Sequence, residues 1–158
     1  MYLALLFTLF AADDVTTVKP VATAAWTHAK ADVNAKNDGK QIAVESAADL
    51  VKAVPEWAKS KAKAEVVEKQ ATASLAKALK VKGIDWDKQM LLVVTAGTKS
   101  TGGYKVEVTD MTVKGDTMTV TYKVTPPSGF ATQAFTHPGT VVLVPKHKGK
   151  VVFEQAKK

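Results

Sequence analysis

The chain has 158 residues, 46% of them hydrophobic and 23% charged, which fits one folded domain with one core and excludes a disordered chain. Its 22 basic residues are all lysine and give a net charge of +7 against 15 acidic ones, so the guanidinium fork that grips phosphate, carboxylate or guanine two-pronged is missing. Lysines scattered without interleaved aromatics point to a solvated surface and not to nucleic-acid binding.

The chain opens with MYLALLFTLFAADD. Its apolar run, Tyr2 to Ala12, is too short to span a bilayer as a helix, which takes about 20 apolar residues. It ends abruptly at Asp13 and Asp14 and fits the apolar core of a secretory signal peptide over residues 1–12; the alternative is a buried first strand or helix. Cysteine is absent, which rules out disulfides, thiolate nucleophiles, cysteine-based zinc sites and a lipid anchor through Cys. An exported form is therefore expected to be soluble, periplasmic or extracellular, with no integral membrane span.

Residues 13–39 carry little periodicity and read as a leader or linker, with Asn37-Asp38-Gly39 as a turn signal. A single α+β domain is expected over residues 40–156. KQIAVES alternates Ile42 and Val44 with polar neighbours and predicts a short strand. Ser46 and Asp49 stand at N-cap and N3 spacing, a carboxylate variant of the capping box, ahead of a helix with Leu50, Val51 and Val54 on one face. Pro55 fits the first turn of a second helix, whose apolar seam is Ala64, Val67, Ala71, Leu75 and Ala78 and whose stop is Gly83. Glu65 and Lys69 are spaced for an i, i+4 ion pair. These helices are expected to pack on a mainly antiparallel C-terminal sheet or sandwich.

Beyond Gly83 the apolar period changes toward 2. In IDWDK, alternation predicts both carboxylates on one side and Trp86 on the other, as a packing anchor. MLLVV is continuously apolar, as a strand covered on both faces requires. In YKVEVTDMTV the apolar set shifts phase after Val108, which predicts a bulge near Asp110. KGDT then turns the chain into MTVTYKV, completing a hairpin. TPPSG breaks the chain, FATQAF predicts a short strand, THPG a turn, and TVVLVP with VVFE a last hairpin across KHKGK.

The Gly-, Ser- and Thr-rich loop after MLLVV resembles a phosphate cradle only in the spacing of Gly97 and Gly102. A Walker-type loop needs a Lys and a hydroxyl residue next and a helix after them, whereas Gly103-Tyr104 and a strand follow here. A dinucleotide fingerprint fails for want of the same helix. His28, His137 and His147 lack metal-ligand spacing, and neither Ser100 nor Ser128 sits in a nucleophile elbow. No catalytic residue, metal or cofactor is therefore assigned, and the chain is expected not to be an enzyme.

IDWDKQMLLVVTAG, TGGYKVEV and TQAFTHPGTVVLVP, in that order, resemble the C-terminal domain of the PrcB-like family over residues 84–154. These are bacterial exported proteins named for a subunit that stabilises a surface protease complex. The resemblance implies a small exported domain that works by binding a protein, with a protease or another envelope protein as partner. The named subunit is a lipoprotein, and this chain lacks the Cys for that. The candidate partner-facing residues are Thr98, Lys99, Ser100, Thr101, Gly102, Gly103 and Tyr104 with Phe135, Thr136, His137 and Pro138; the alternative for the glycine pair is a plain inter-strand connection. Residues 97–104 also resemble the Thr-Thr-Gly-aromatic loop of chagasin-type cysteine-protease inhibitors. An extra glycine precedes Tyr104, and that family's Arg-bearing loop has no counterpart.

Overall fold

The computed structural model describes residues 29–36, 39–54 and 63–157. The expected signal peptide, most of the leader and the start of the second helix at Pro55 lie outside them. In chain order the described elements are β1 (Ala29–Asn34), β2 (Gln41–Val44), α1 (Ala47–Ala53), α2 (Ala64–Ala78), β3 (Gln89–Thr95), β4 (Lys105–Lys114), β5 (Thr117–Thr125), β6 (Pro138–Pro145) and β7 (Lys150–Gln155). The fold is α+β and rich in strand. A four-stranded sheet runs β1-β6-β3-β2 and a three-stranded sheet runs β4-β5-β7.

The unbroken apolar runs of β3 and β6 explain the layering. The two strands pair antiparallel, Leu91 opposite Leu143 and Val93 opposite Val141, and these four join Leu50, Val54, Ala71, Leu75 and Leu79 of the helical region in one buried cluster. One residue along, Met90 pairs with Val144 and Leu92 with Val142, and these point the other way, into a cluster with Met111, Met118 and Val120 of the second sheet. Alternating side chains of two central strands thus serve two cores, which is why neither strand carries a polar face. Each fully buried side chain of this kind contributes roughly 1.5–3 kcal/mol relative to exposure.

The helix signals act much as expected at α1. The Asp49 amide donates to Ser46 Oγ at 3.1 Å, and the Ser46 hydroxyl donates to Asp49 Oδ2 at 2.7 Å. In α2 the buried residues are Val67, Ala71, Leu75 and Ala76, while Ala64 and Ala78, expected in the seam, are exposed. Gly83 does not stop the helix. It ends five residues earlier, at Ala78, with the Val81 amide bonded to the Ala76 carbonyl at 3.0 Å and that of Lys80 to Lys77 at 3.1 Å. Lys80 takes the left-handed turn at φ 58°, the position usually given to glycine. Glu65 and Lys69 make no ion pair with each other, whereas Asp49 pairs with Lys52 and Asp85 with Lys88.

Four further expectations are corrected. Residues 29–34, read as linker, form β1 on the edge of the first sheet, paired with β6 from Ala29↔Leu143 to Asn34↔Pro138. Ala31 and Val33 pack on the first cluster, so only alternate positions are apolar, and the polar ones between them masked the strand. Second, β6 and β7 form no hairpin. Both edges of β6 are taken, by β1 and β3, so the chain crosses to the second sheet, where β7 runs parallel to β5 from Thr117↔Lys150 to Tyr122↔Gln155. Third, FATQAF is no strand: its two phenylalanines are five positions apart and fall on opposite sides of any extended chain, so it has no apolar face. THPG is likewise no turn, since Pro138 and Gly139 open β6. Fourth, IDWDK is a turn in which the Gln89 amide bonds the Asp85 carbonyl at 2.7 Å and the Asp87 amide bonds Asp85 Oδ1 at 3.1 Å. Trp86 still anchors against the first cluster.

The predicted hairpin of β4 and β5 is present. Its register jumps between Val108↔Tyr122 and Asp110↔Thr121, leaving Thr109 as the extra residue of the bulge. Met111, Met118 and Val120 are fully buried as a result.

Candidate functional site

Two loops meet at one end of the domain. Residues 96–104 join β3 to β4, and residues 126–137 join β5 to β6. The candidate residues drawn from distant parts of the sequence are sewn together here by backbone. Lys99 and Thr136 form an isolated antiparallel bridge, with bonds of 2.8 and 2.9 Å in the two directions. The Thr136 hydroxyl donates to the Thr101 carbonyl at 2.9 Å, and the Gly102 amide donates to the Thr132 carbonyl at 2.9 Å. Thr98 Oγ1 and His137 Nδ1 share a hydrogen bond at 3.2 Å. Pro138 cannot donate, but its carbonyl accepts the Ala96 amide at 2.9 Å, which fixes the root of the second loop to the first.

The glycine pair divides its labour. Gly103 has φ +80° and lies so near Pro127 that an added Cβ would stand 2.9 Å from the proline Cβ. Gly102 needs no unusual φ; an added Cβ there would stand 3.6 Å from Thr132 Cβ, an ordinary contact. Strand β4 follows directly, so no helix terminus is offered to an anion. Tyr104 is half-buried, and the Lys99 ammonium lies 5.5 Å from its ring centre, in cation–π range. A half-buried ring held in this way is not a projecting wedge, so the geometry does not favour the chagasin-type alternative. Ser100 is exposed.

The side chains that do project lie in the second loop. Phe135 is 78% exposed, and so is Phe130 in full, a residue that reading the sequence passed over. The signal for Phe130 was its place just after the breaker Pro126-Pro127-Ser128-Gly129, where no core is within reach. Strand β1, also missed, completes the site: the His137 amide donates to Asn34 Oδ1 at 2.9 Å and the Ala35 amide to the His137 carbonyl at 3.0 Å. Between β1 and the start of β4 lies a cleft of about 260 Å³ whose walls include Asp32, Asn34, Tyr104, Lys105 and Thr136.

No group of three or more His, Asp or Glu side chains that could hold a metal occurs among the described residues. His147 is bonded through Nε2 to the Asp116 carbonyl at 3.0 Å, where it ties the β6–β7 crossing to the β4–β5 turn. No helix of the described residues is long and apolar enough to cross a membrane.

Fold and loops together define a two-sheet α+β domain whose long connections are sewn to each other at one end. Residues 90–145 of it match the family model described as PrcB C-terminal, so the resemblance to the PrcB-like family holds over that span. The matched span runs from β3 through β6 and contains both loops with every candidate residue, while β1, β2, both helices and β7 lie outside it. No curated protein and no solved structure gives a significant match.

Proposed function

We propose that this chain is an exported, non-catalytic domain that binds and stabilises a protein partner, a component of a protease complex. The family match over residues 90–145 carries the reading, because association with a protease complex is what the PrcB-like family implies. The exposure of Phe130 and Phe135 supports it. Aromatic side chains left in water within one loop are costly for a free protein and typical of anchors that enter a partner's pocket. The non-catalytic part rests on the chemistry of the site, where His137 Nδ1 is bonded to the Thr98 hydroxyl and, among the described residues, to no carboxylate. Export rests on the apolar run before Asp13.

The test is affinity capture from the envelope fraction of the native host, with mass spectrometry and a bait carrying Phe130→Ser and Phe135→Ser as control. Enrichment of a protease or its subunit on the wild-type bait is expected. Equal recovery on both baits would remove the basis of the reading. For export, the mature protein is expected to begin beyond residue 12, and a mature N-terminus at Met1 would overturn that part.

A further inference from the structure

We infer that the open edge of β1 is a docking rail for an extended segment of the protein partner, which adds to the first sheet as a further strand. The inference rests on the protein-contact reading above and names the surface and the chemistry of what it takes. Among the described strands nothing pairs with the outer side of β1, which ends the order β1-β6-β3-β2.

Hydrogen-bond parity shows which groups wait there. The Pro138 carbonyl is turned to Ala96, on the β3 side, so the Asn34↔Pro138 pair exchanges no bonds. The neighbouring residues of β1 therefore face β6, as the Ala35 amide bonded to the His137 carbonyl and the Ala31 carbonyl accepting from the Thr140 hydroxyl both attest. The amides and carbonyls of Lys30, Asp32 and Asn34 accordingly point outward, and these three residues are exposed.

A bare edge alone would say little, but this one is flanked by a cavity on each face. On the helix side, Val33 and Asn34 border an apolar hollow of about 180 Å³ closed by Ala71, Leu75 and Ala78 of α2. On the other side, the same two residues border the cleft of about 260 Å³ with Tyr104 and Lys105. Successive side chains of an added strand point to opposite faces, so one would fill the hollow and the next the cleft. The occupant is therefore an extended segment that alternates an apolar side chain with a polar one. That polar side chain is acidic by preference, since Lys105 offsets Asp32 within the cleft and the chain as a whole carries a net charge of +7. A second copy of this chain is disfavoured by its own net charge of +7.

The variant Asp32→Pro isolates the claim. It deletes an outward amide hydrogen and leaves the β1–β6 ladder intact, and proline is tolerated on such an edge. Random linear peptides displayed on phage are selected on the full chain, and amide hydrogen exchange is read with the selected peptide bound. The expected peptides alternate apolar and acidic residues, protect the amides of Lys30, Asp32 and Asn34, and bind Asp32→Pro about tenfold more weakly. The thermal midpoint of the variant should be unchanged within a few degrees. No enriched peptide, or equal binding to the variant, overturns the proposal. Protection confined to residues 126–137 overturns it and leaves the protein-contact reading standing. Peptides that bind at β1 while envelope capture recovers no protease sustain the rail and sink the protease-complex reading. A dimer that sediments without peptide and is lost in Asp32→Pro overturns the choice of a different partner.

Discussion

Gly103 stands against Pro127, and the space between them admits no side chain: an added Cβ would lie 2.9 Å from the proline Cβ at a backbone φ of +80°. The left-handed backbone costs an L residue about 1–2 kcal/mol, and the contact adds to it because a proline ring has little freedom to yield. Gly103→Ala should therefore destabilise the domain by about 2–3 kcal/mol, whereas Gly102→Ala, with ordinary space and no special φ, should stay within about 1 kcal/mol. Urea unfolding of the two variants beside wild type checks the difference. Equal stabilities would mean that the 126–137 loop moves aside freely.

Phe130 and Phe135 separate stability from recognition. Neither belongs to a buried cluster, so Phe130→Ser and Phe135→Ser should change unfolding free energy by no more than about 0.5 kcal/mol. An aromatic anchor seated in a partner's pocket is worth about 2 kcal/mol or more, so capture of the partner should fall at least tenfold for either variant. Unfolding curves and pull-down yields on the same preparations decide the matter. Loss of both together would reassign the residues to folding.

How much of this was legible in the sequence depended on whether the apolar pattern alone specified the element. The runs in β3 and β6, the β4–β5 hairpin with its bulge, and the Ser46 cap could be read because each has a local signal. Strand β1 could not: Ala31 and Val33 pack inward between polar neighbours, and the strand exists because β6 has an edge to fill. The β6–β7 hairpin expected across KHKGK fails for a long-range reason, since β1 and β3 take both edges of β6. The loop pairing had a similar fate. That Thr101-Gly102-Gly103 would meet Thr132 and Thr136 follows from long-range register, whereas the aromatic exposure at Phe130 follows from a breaker that the sequence does display.

The cap on α1 offers a cleaner number. Ser46 Oγ both accepts from the Asp49 amide and donates to the Asp49 carboxylate, in a helix of seven residues that places Leu50 in the first cluster. So short a helix has little stability of its own. Ser46→Ala should cost about 1 kcal/mol, within a range of about 0.5–2, and Ser46→Thr should recover most of it. Chemical denaturation reads both. No loss in the alanine variant would mean that packing of Leu50 and Val54 suffices to hold the turn.

Tyr122 links the second sheet to alkaline pH. Its ring is buried beside Val94 and Val106, and that burial raises the phenol above its ordinary value of 10, because the phenolate would lose its water. The neutral form is the one that folding favours, so the contribution is fully present below pH 10 and is lost as the pH climbs through the folded value. Unfolding free energy of wild type relative to Tyr122→Phe should be flat with pH up to about 9 and then fall, since phenylalanine has no proton to lose. The same comparison by ultraviolet titration should show the wild type's buried phenol ionising later than a free tyrosine. Parallel stability curves through the alkaline range would show that the phenol reaches water in the folded chain.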